Sequence, residues 1–400
     1  MSSVPPVPSN PAITAQISFG LALVRRLAQA ADAPNVTLSP LGVVAALALS
    51  MSGAGGATRA AFAETLFDSS EGPAASETSF ADQLRQLLQP DDEAEGNPIL
   101  RMATSMWVDH RFALAPAFAN QARTLYQAEV AKLNLAGPNA ASTINSWVQR
   151  QTTGLISEIV SAEMLATPLL KVVLVNAVYF QARWANEFDP YDTELGLFRQ
   201  ANGATQPAYL MHQISQSIGY LAGDGWQAVR LRYEGSPTYF SMLVFVPDEP
   251  DGLPAFLAGL NAPDWQAWDA ALKNPPEYLE VELLLPRFRI EWSGNLAPHL
   301  QQMGLAAAFS TDADFTPMGF EAETGGGALE AVLHKTFLAV DEQGTEAAAV
   351  TAIVWMAGGM PDDTPPPRRV TVKADSPFFY AIVDDQSGSL LFAGTVCDVA

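Results

Sequence analysis

Cysteine is nearly absent: Cys397 stands alone, so no disulfide can form within the chain and the fold must rest on its core. Histidine is scarce too. His110, His212, His299 and His334 show no His-Glu-x-x-His or comparable spacing, so no metal site is expected. Basic charge is short, with 21 Lys and Arg against 43 Asp and Glu and a net charge of −22. That balance argues against nucleic acid, heparin-like polyanions or anionic lipid as the main partner, and reads as a solubilising acidic surface. No uninterrupted apolar run reaches the ~18 residues that a membrane span needs. Residues 1–12 are rich in Ser and Pro, without the basic start and apolar run of a signal peptide, and read as a disordered tail. The expectation is a protein that stays in the cytoplasm, leaves by another route, or has lost a targeting segment.

Catalytic motifs are missing as well. There is no Gly-x-Ser-x-Gly elbow, and the glycines of 53–56 form neither a phosphate loop nor a dinucleotide fingerprint, so they read as a helix stop. Carboxylates are abundant but scattered. A hydrolase built on them is an open alternative that no motif supports. His334, beside Leu333 and Phe337, reads as a satisfied, half-buried histidine.

What is present is apolar pattern. With 48% hydrophobic residues, 400 residues can bury a large core, and the absence of linkers or repeats favours one domain over two or three. Residues 13–31 read as an amphipathic helix through Ile17, Leu21, Val24 and Leu27. Asn35-Val36-Thr37 fits a glycosylation acceptor, but the apolar run after it favours a buried strand start. Ser39-Pro40 caps a helix that is apolar all round and should lie deep. Residues 68–76 and 89–97 read as mobile. Further strands are expected at 101–109, 171–180, 279–292 (one long strand interrupted at Pro286), 370–373, 378–383 and 389–396, and helices at 116–126, 142–151, 253–260 and 264–272. Blocks of strands and helices that do not alternate point to an α+β fold.

The segment Val340 to Thr351 combines an acidic, glycine-containing turn with alanines and β-branched residues, so it could be loop, helix or strand. Around it, ordered motifs over about residues 13–400 resemble the serpin family. They are Asn35 to Pro40, Asn176-Ala177-Val178-Tyr179-Phe180 with Trp184, Leu285-Pro286-Arg287-Phe288, Asp314-Phe315, His334-Lys335, Glu342-x-Gly344-Thr345-Glu346-Ala347-Ala348-Ala349, Ala374 to Phe378, and Leu391-Phe392-Ala393-Gly394. The resemblance implies one domain with three β-sheets, eight or nine helices and an exposed reactive-centre loop at about 343–369. It also implies a suicide substrate of serine endopeptidases, with no cofactor. The cleaved loop would enter the main sheet as a new strand and carry the acylated protease with it. The partner implied is a target serine protease, held covalently; the protein itself would be a monomer, with loop-sheet polymers as its failure mode. The family default is extracellular. Alternatives are a non-inhibitory binding or chaperone-like serpin, and a cross-class inhibitor of a papain-like cysteine protease.

The residues of the loop are compatible with insertion. Thr345, Ala347, Ala349, Thr351 and Ile353 would share one uncharged face, Glu346 would fall on the solvent side, and no proline precedes Pro361. Gly344 reads as a flexible pivot. From Gly344 to Gly358 the strand would reach about 46 Å. The resemblance also implies sheet-opening locks: a polar cluster of Ser39, Asn176 and His334, Trp184 near the entry, and an Arg287–Glu342 ion pair. Gly42, where the family often has serine, would leave the cluster thin or water-filled. Counting from the hinge puts the scissile bond at Gly358–Gly359, with Met356, Ala357 and Met360 as alternatives; counting back from Pro377-Phe378 puts it near Pro366, so the loop carries an insertion on its C-terminal side. Small residues there favour elastase- or subtilisin-like targets, and methionine a chymotrypsin-like one.

Overall fold

The computed structural model describes residues 10–30, 35–67, 73–88, 98–166, 170–235, 239–275, 277, 279–320, 327–345 and 367–399. Its framework is three β-sheets with ten α-helices among the described residues, two of which, Ala162–Leu165 and Ala297–Leu300, are single turns.

The main sheet is ordered Phe288–Asn295, Ala331–Val340, Gly344–Thr345, Val172–Arg183, Ile99–Asp109, Glu129–Leu133. Its central strand, Val172–Arg183, is buried continuously from Val172 to Phe180, as its unbroken apolar run requires of a strand covered on both faces. One face packs on the principal core, which includes helix Pro40–Ser52, buried from Pro40 to Met51. That helix starts where Ser39 Oγ accepts the Gly42 N–H at 3.1 Å and Pro40 occupies the first turn. The other face packs Val173, Val175, Trp107 and Leu333 against Ile144 and Val148 of helix Ala140–Gln151.

The second sheet is antiparallel throughout, ordered Val36–Leu38, Leu390–Val396, Phe378–Asp384, Phe240–Pro247, Trp226–Arg232, Gly219–Gly223. An aromatic cluster of Trp226, Phe245, Phe256, Trp265, Trp268 and Phe379 ties it to helices Leu253–Gly259 and Ala262–Lys273. The third sheet is ordered Arg369–Lys373, Glu280–Pro286, Thr205–Ser215, Glu194–Arg199.

Several boundaries differ from expectation. The first helix begins at Pro11, where Asn10 Oδ1 accepts the Ala12 N–H, so residues 11 and 12 belong to the domain, not to a tail. Residues 1–9 lie outside the described residues. Helix Pro73–Leu87 takes in 73–76, against the expectation of a mobile segment there; 68–72 and 89–97 lie outside the described residues. The single strand expected at 279–292 is two strands in two sheets: Glu280–Pro286 belongs to the third and Phe288–Asn295 to the main one. Proline has no N–H for a ladder, and the chain changes sheets directly after it.

The space beside Gly42 is filled, while the cluster itself is thin: Asn176 Oδ1 and His334 Nδ1 have no hydrogen-bond partner among the described residues. A Cβ there would lie 2.4 Å from Asn176 Oδ1 and 2.7 Å from Val178 Cγ2, so the strand's own side chains occupy that space. Gly42→Ala is therefore expected to lower unfolding stability by about 1–3 kcal/mol through overpacking. Urea denaturation of variant and parent measures this; an unchanged midpoint would show that the helix and strand have room to part.

Candidate functional site: the hinge and the seam of the main sheet

Two neighbouring parallel strands define the site. Ala331–Val340 and Val172–Arg183 pair directly from Ala331↔Val173 to Phe337↔Tyr179. Beyond that point they diverge, and the two-residue strand Gly344–Thr345 stands between them, antiparallel to both: Thr345 opposes Val340 on one side and Ala182 on the other. The main sheet is closed along its lower seam and wedged open at one end.

A tight reversal at 341–344 delivers Thr345 into that gap. Asp341 Oδ1 accepts the N–H groups of Gln343 at 2.9 Å and Gly344 at 3.1 Å, an Asx-type turn. Every backbone carbonyl of the reversal has a donor: Asp341 O from Trp184 Nε1, Glu342 O from Phe188 N, Gln343 O from Trp184 N and Gly344 O from Asp341 N, each at 2.9 Å. Gly344 is needed for close approach more than for pivoting, because a Cβ would lie 2.1 Å from Ala182 O. Thr345 is fully buried and its hydroxyl sits 2.6 Å from the Tyr233 hydroxyl. Tyr233 stacks on Trp184 at 4.4 Å, so the indole covers the entry and anchors the turn at once.

Glu342 and Arg287 meet as expected. Glu342 Oε1 accepts from Arg287 Nε at 2.7 Å and Nη2 at 2.6 Å, and from Thr193 Oγ1 at 2.5 Å. Burial pushes the Glu342 carboxyl up, but the bonds from Arg287 and Thr193 outweigh it and hold it below its ordinary range. Burial also raises the carboxyl of Asp341, reinforced by the charge of Glu342 and opposed by the two N–H groups it caps. Arg287 lies over the Tyr209 ring at 5.3 Å, which joins the ion pair to the third sheet.

The polar cluster sits on the closed seam, where His334 and Asn176 are register partners. His334 is fully buried, not half-buried, at 1% exposure. Its Nε2 accepts the Ser39 N–H at 3.0 Å, which identifies Nδ1 as the protonated nitrogen. Burial lowers the imidazole to about 3, with the Asn176 backbone opposing the shift. Asn176 is not bonded to Ser39 or His334 by its side chain; Nδ2 donates to Thr104 Oγ1 at 2.9 Å on the next strand. Thr336 Oγ1 donates to Thr37 O at 2.8 Å and fastens the same seam to the second sheet.

Thr104, Thr193, Tyr233, Asp341 and Thr336 were missed by sequence reasoning. Each acts through a partner far along the chain except Asp341, whose position two and three residues before Gln343 and Gly344 was a readable turn signal. Of the hinge, Glu346, Ala347, Ala348, Ala349 and Thr351 lie outside the described residues, as do Met356, Ala357, Gly358, Gly359 and Met360.

Two outcomes test this geometry. Glu342→Lys would set two cations side by side at the entry and is expected to loosen the reversal and promote loop-sheet polymers; an unchanged monomer with unchanged unfolding, by size exclusion and melting, would refute it. His334 remains neutral in the fold while the unfolded chain takes up a proton below about pH 6.5. Its contribution to stability is therefore lost progressively as pH falls from there toward about 3. The slope for this group approaches ~1.4 kcal/mol per pH unit. His334→Gln should flatten the melting profile between about pH 6.5 and 5, above the range of ordinary carboxylates; parallel profiles would exclude the imidazole as the source.

A family model described as Serpin (serine protease inhibitor) matches residues 14–399. Serpin-Z7 of Hordeum vulgare is 33% identical over 404 residues, covering 97% of this chain and 96% of the relative. A serpin-like protein of Thermococcus kodakarensis, TK1782, is 34% identical over 388 residues, covering 96% and 85%. Among solved structures, Arabidopsis AtSerpin1 in its native stressed conformation aligns with a TM-score of 0.82 at 25% identity, covering 97% of this chain and 98% of that one. Human thyroxine-binding globulin complexed with thyroxine aligns at 0.84 and 25%, with the same coverage. Serpins are in general protease inhibitors, although not every relative of this shape is one. With the family's sheets and hinge in place, this chain belongs to the serpin family.

Proposed function

We propose that this serpin is a suicide-substrate inhibitor of serine endopeptidases of elastase-, subtilisin- or chymotrypsin-like preference. The observation that carries the reading is the seat of Thr345 between Val340 and Ala182: the main sheet holds the end of the described hinge in the gap that a full-length inserted strand would continue. Continuing that strand requires the pairs from Ala331↔Val173 to Phe337↔Tyr179 to separate beneath helix Ala140–Gln151. Antiparallel ladders on both sides of the newcomer would replace the one parallel ladder lost, a net gain in backbone hydrogen bonds.

The chemistry begins as ordinary acylation. The protease serine Oγ attacks the carbonyl carbon of Gly358, the bond to the Gly359 nitrogen breaks, and that nitrogen leaves protonated while the acyl-enzyme remains. Insertion of residues 345–358 then withdraws the ester from water before deacylation completes. Glu342, Gly344 and Thr345 serve as the hinge, with Glu346 to Ala349 and Thr351 as its continuation. Ser39, Asn176, Trp184, Arg287 and His334 serve as locks on the seam. A non-inhibitory, ligand-carrying reading is favoured only by the likeness to thyroxine-binding globulin, which is complexed with thyroxine.

Incubation with elastase, subtilisin, chymotrypsin, trypsin and a papain-like protease should give an SDS-stable adduct with at least one serine protease, and release a C-terminal peptide beginning at Gly359 by mass spectrometry. Loop digestion without adduct by all five would refute inhibition for these classes; an adduct with the papain-like enzyme alone would identify cross-class inhibition. Thr345→Arg would bury a charge in the gap, so it is expected to turn the inhibitor into a substrate, raising the stoichiometry of inhibition on the order of tenfold. An unchanged stoichiometry would mean that the seat of Thr345 is not on the inhibitory path.

A further inference from the structure

At one end of the second sheet lies a cavity that neither the hinge nor the seam uses. Its floor is the chain end after strand Leu390–Val396, pinned by one side chain: Asn35 Oδ1 accepts the N–H groups of Cys397 at 2.6 Å and Asp398 at 3.0 Å, and Asn35 Nδ2 donates to Asp398 O at 2.7 Å. Around this floor, Val36, Leu253, Leu257, Pro377 and Thr395 form a buried wall drawn from separate elements. Its volume is about 590 Å³, and it opens to solvent on one side. Small-molecule sites run from roughly 300 to 1,000 Å³ and combine an apolar wall with a few fixed polar groups.

Charge decides what such a wall can take. The two charged residues that line it, Asp251 and Asp398, are both acidic. Among its partners, the Asp398 carboxylate accepts from Gln200 Nε2 at 2.9 Å and Gln206 Nε2 at 2.8 Å, which orient it. The Cys397 thiol stays neutral: burial first, and the Asp398 carboxylate with it, pushes it up to about 11 against a hydrogen bond with Thr395, so the charge of the lining is that of the two carboxylates. An anion entering here would meet two carboxylates and no cation among the lining residues; an amine would find complementary charge. We propose that this cavity binds a small amphipathic organic cation, an arylalkylamine in chemical class, with its apolar body against Leu253 and Leu257 and its ammonium toward Asp251 and Asp398. The proposal is independent of protease inhibition.

The test uses three matched probes on the full chain: phenylbutylamine, phenylbutanol and phenylbutyrate, titrated by calorimetry and thermal shift. The amine should bind saturably, with an affinity about tenfold or more above that of the acid. Asp251→Asn should weaken the amine several-fold and leave the alcohol unchanged. Ala201→Trp, at the exposed rim, should abolish binding of all three with an unchanged melting temperature for the free protein; Ala28→Trp is the second block if that variant folds poorly. The proposal is overturned if no probe saturates, if acid and amine bind equally, or if a folded rim variant binds the amine as the parent does.

Discussion

The parallel pairing between Ala331–Val340 and Val172–Arg183 is the constraint on which the rest of this molecule depends. It is a complete ladder from Ala331↔Val173 to Phe337↔Tyr179, and past that point the same strands are held apart by Thr345. A sheet closed along one seam and propped open at its end is neither finished nor loose. Each fastening on the seam belongs to a different layer. His334 reaches Ser39 at the start of the buried helix, Asn176 reaches Thr104 on the next strand, and Thr336 reaches Thr37 in the second sheet. Parting the strands therefore disturbs three layers together, which makes the seam cooperative.

The hinge is held by a different economy of contacts. Its backbone carbonyls are each satisfied, its glutamate is bonded to Arg287 and Thr193, and its first inserted side chain meets Tyr233. Polar groups removed from water cost free energy unless paired, so a turn this fully paired stays seated until something outside it pulls. Trp184 links the two regions, because one indole both donates to the turn and stacks on the tyrosine that receives Thr345.

Much of this architecture was legible in the residues. The unbroken apolar run of the central strand announced a strand covered on both faces, and the apolar helix after Ser39-Pro40 announced a buried one. Ordered motifs identified the family, and with it the pairing of Arg287 with Glu342. Less legible were the elements whose pattern is diluted. Helix Pro73–Leu87 follows a Ser/Gly/Pro-containing stretch, and the edge strand Glu194–Arg199 exposes Leu195 and Leu197, so alternation there does not report a core. Gly42 looked like a missing side chain; in space it is the room that Asn176 and Val178 fill.

By itself the sequence determined the composition of the seam and hinge: small, uncharged residues at alternate positions, a capped buried helix, one carboxylate and one guanidinium at the expected spacing. These follow from local periodicity and turn chemistry, which act over a few residues. Only the tertiary structure decided that Thr345 is already seated, that Arg287 stands where the chain passes from one sheet to another, that His334 is buried enough to stay neutral, and that Asn35 ties the chain end into the wall of a cavity. Each of these depends on partners separated by tens to hundreds of residues, and burial and pairing are properties of the assembled layers, to which no local pattern has access.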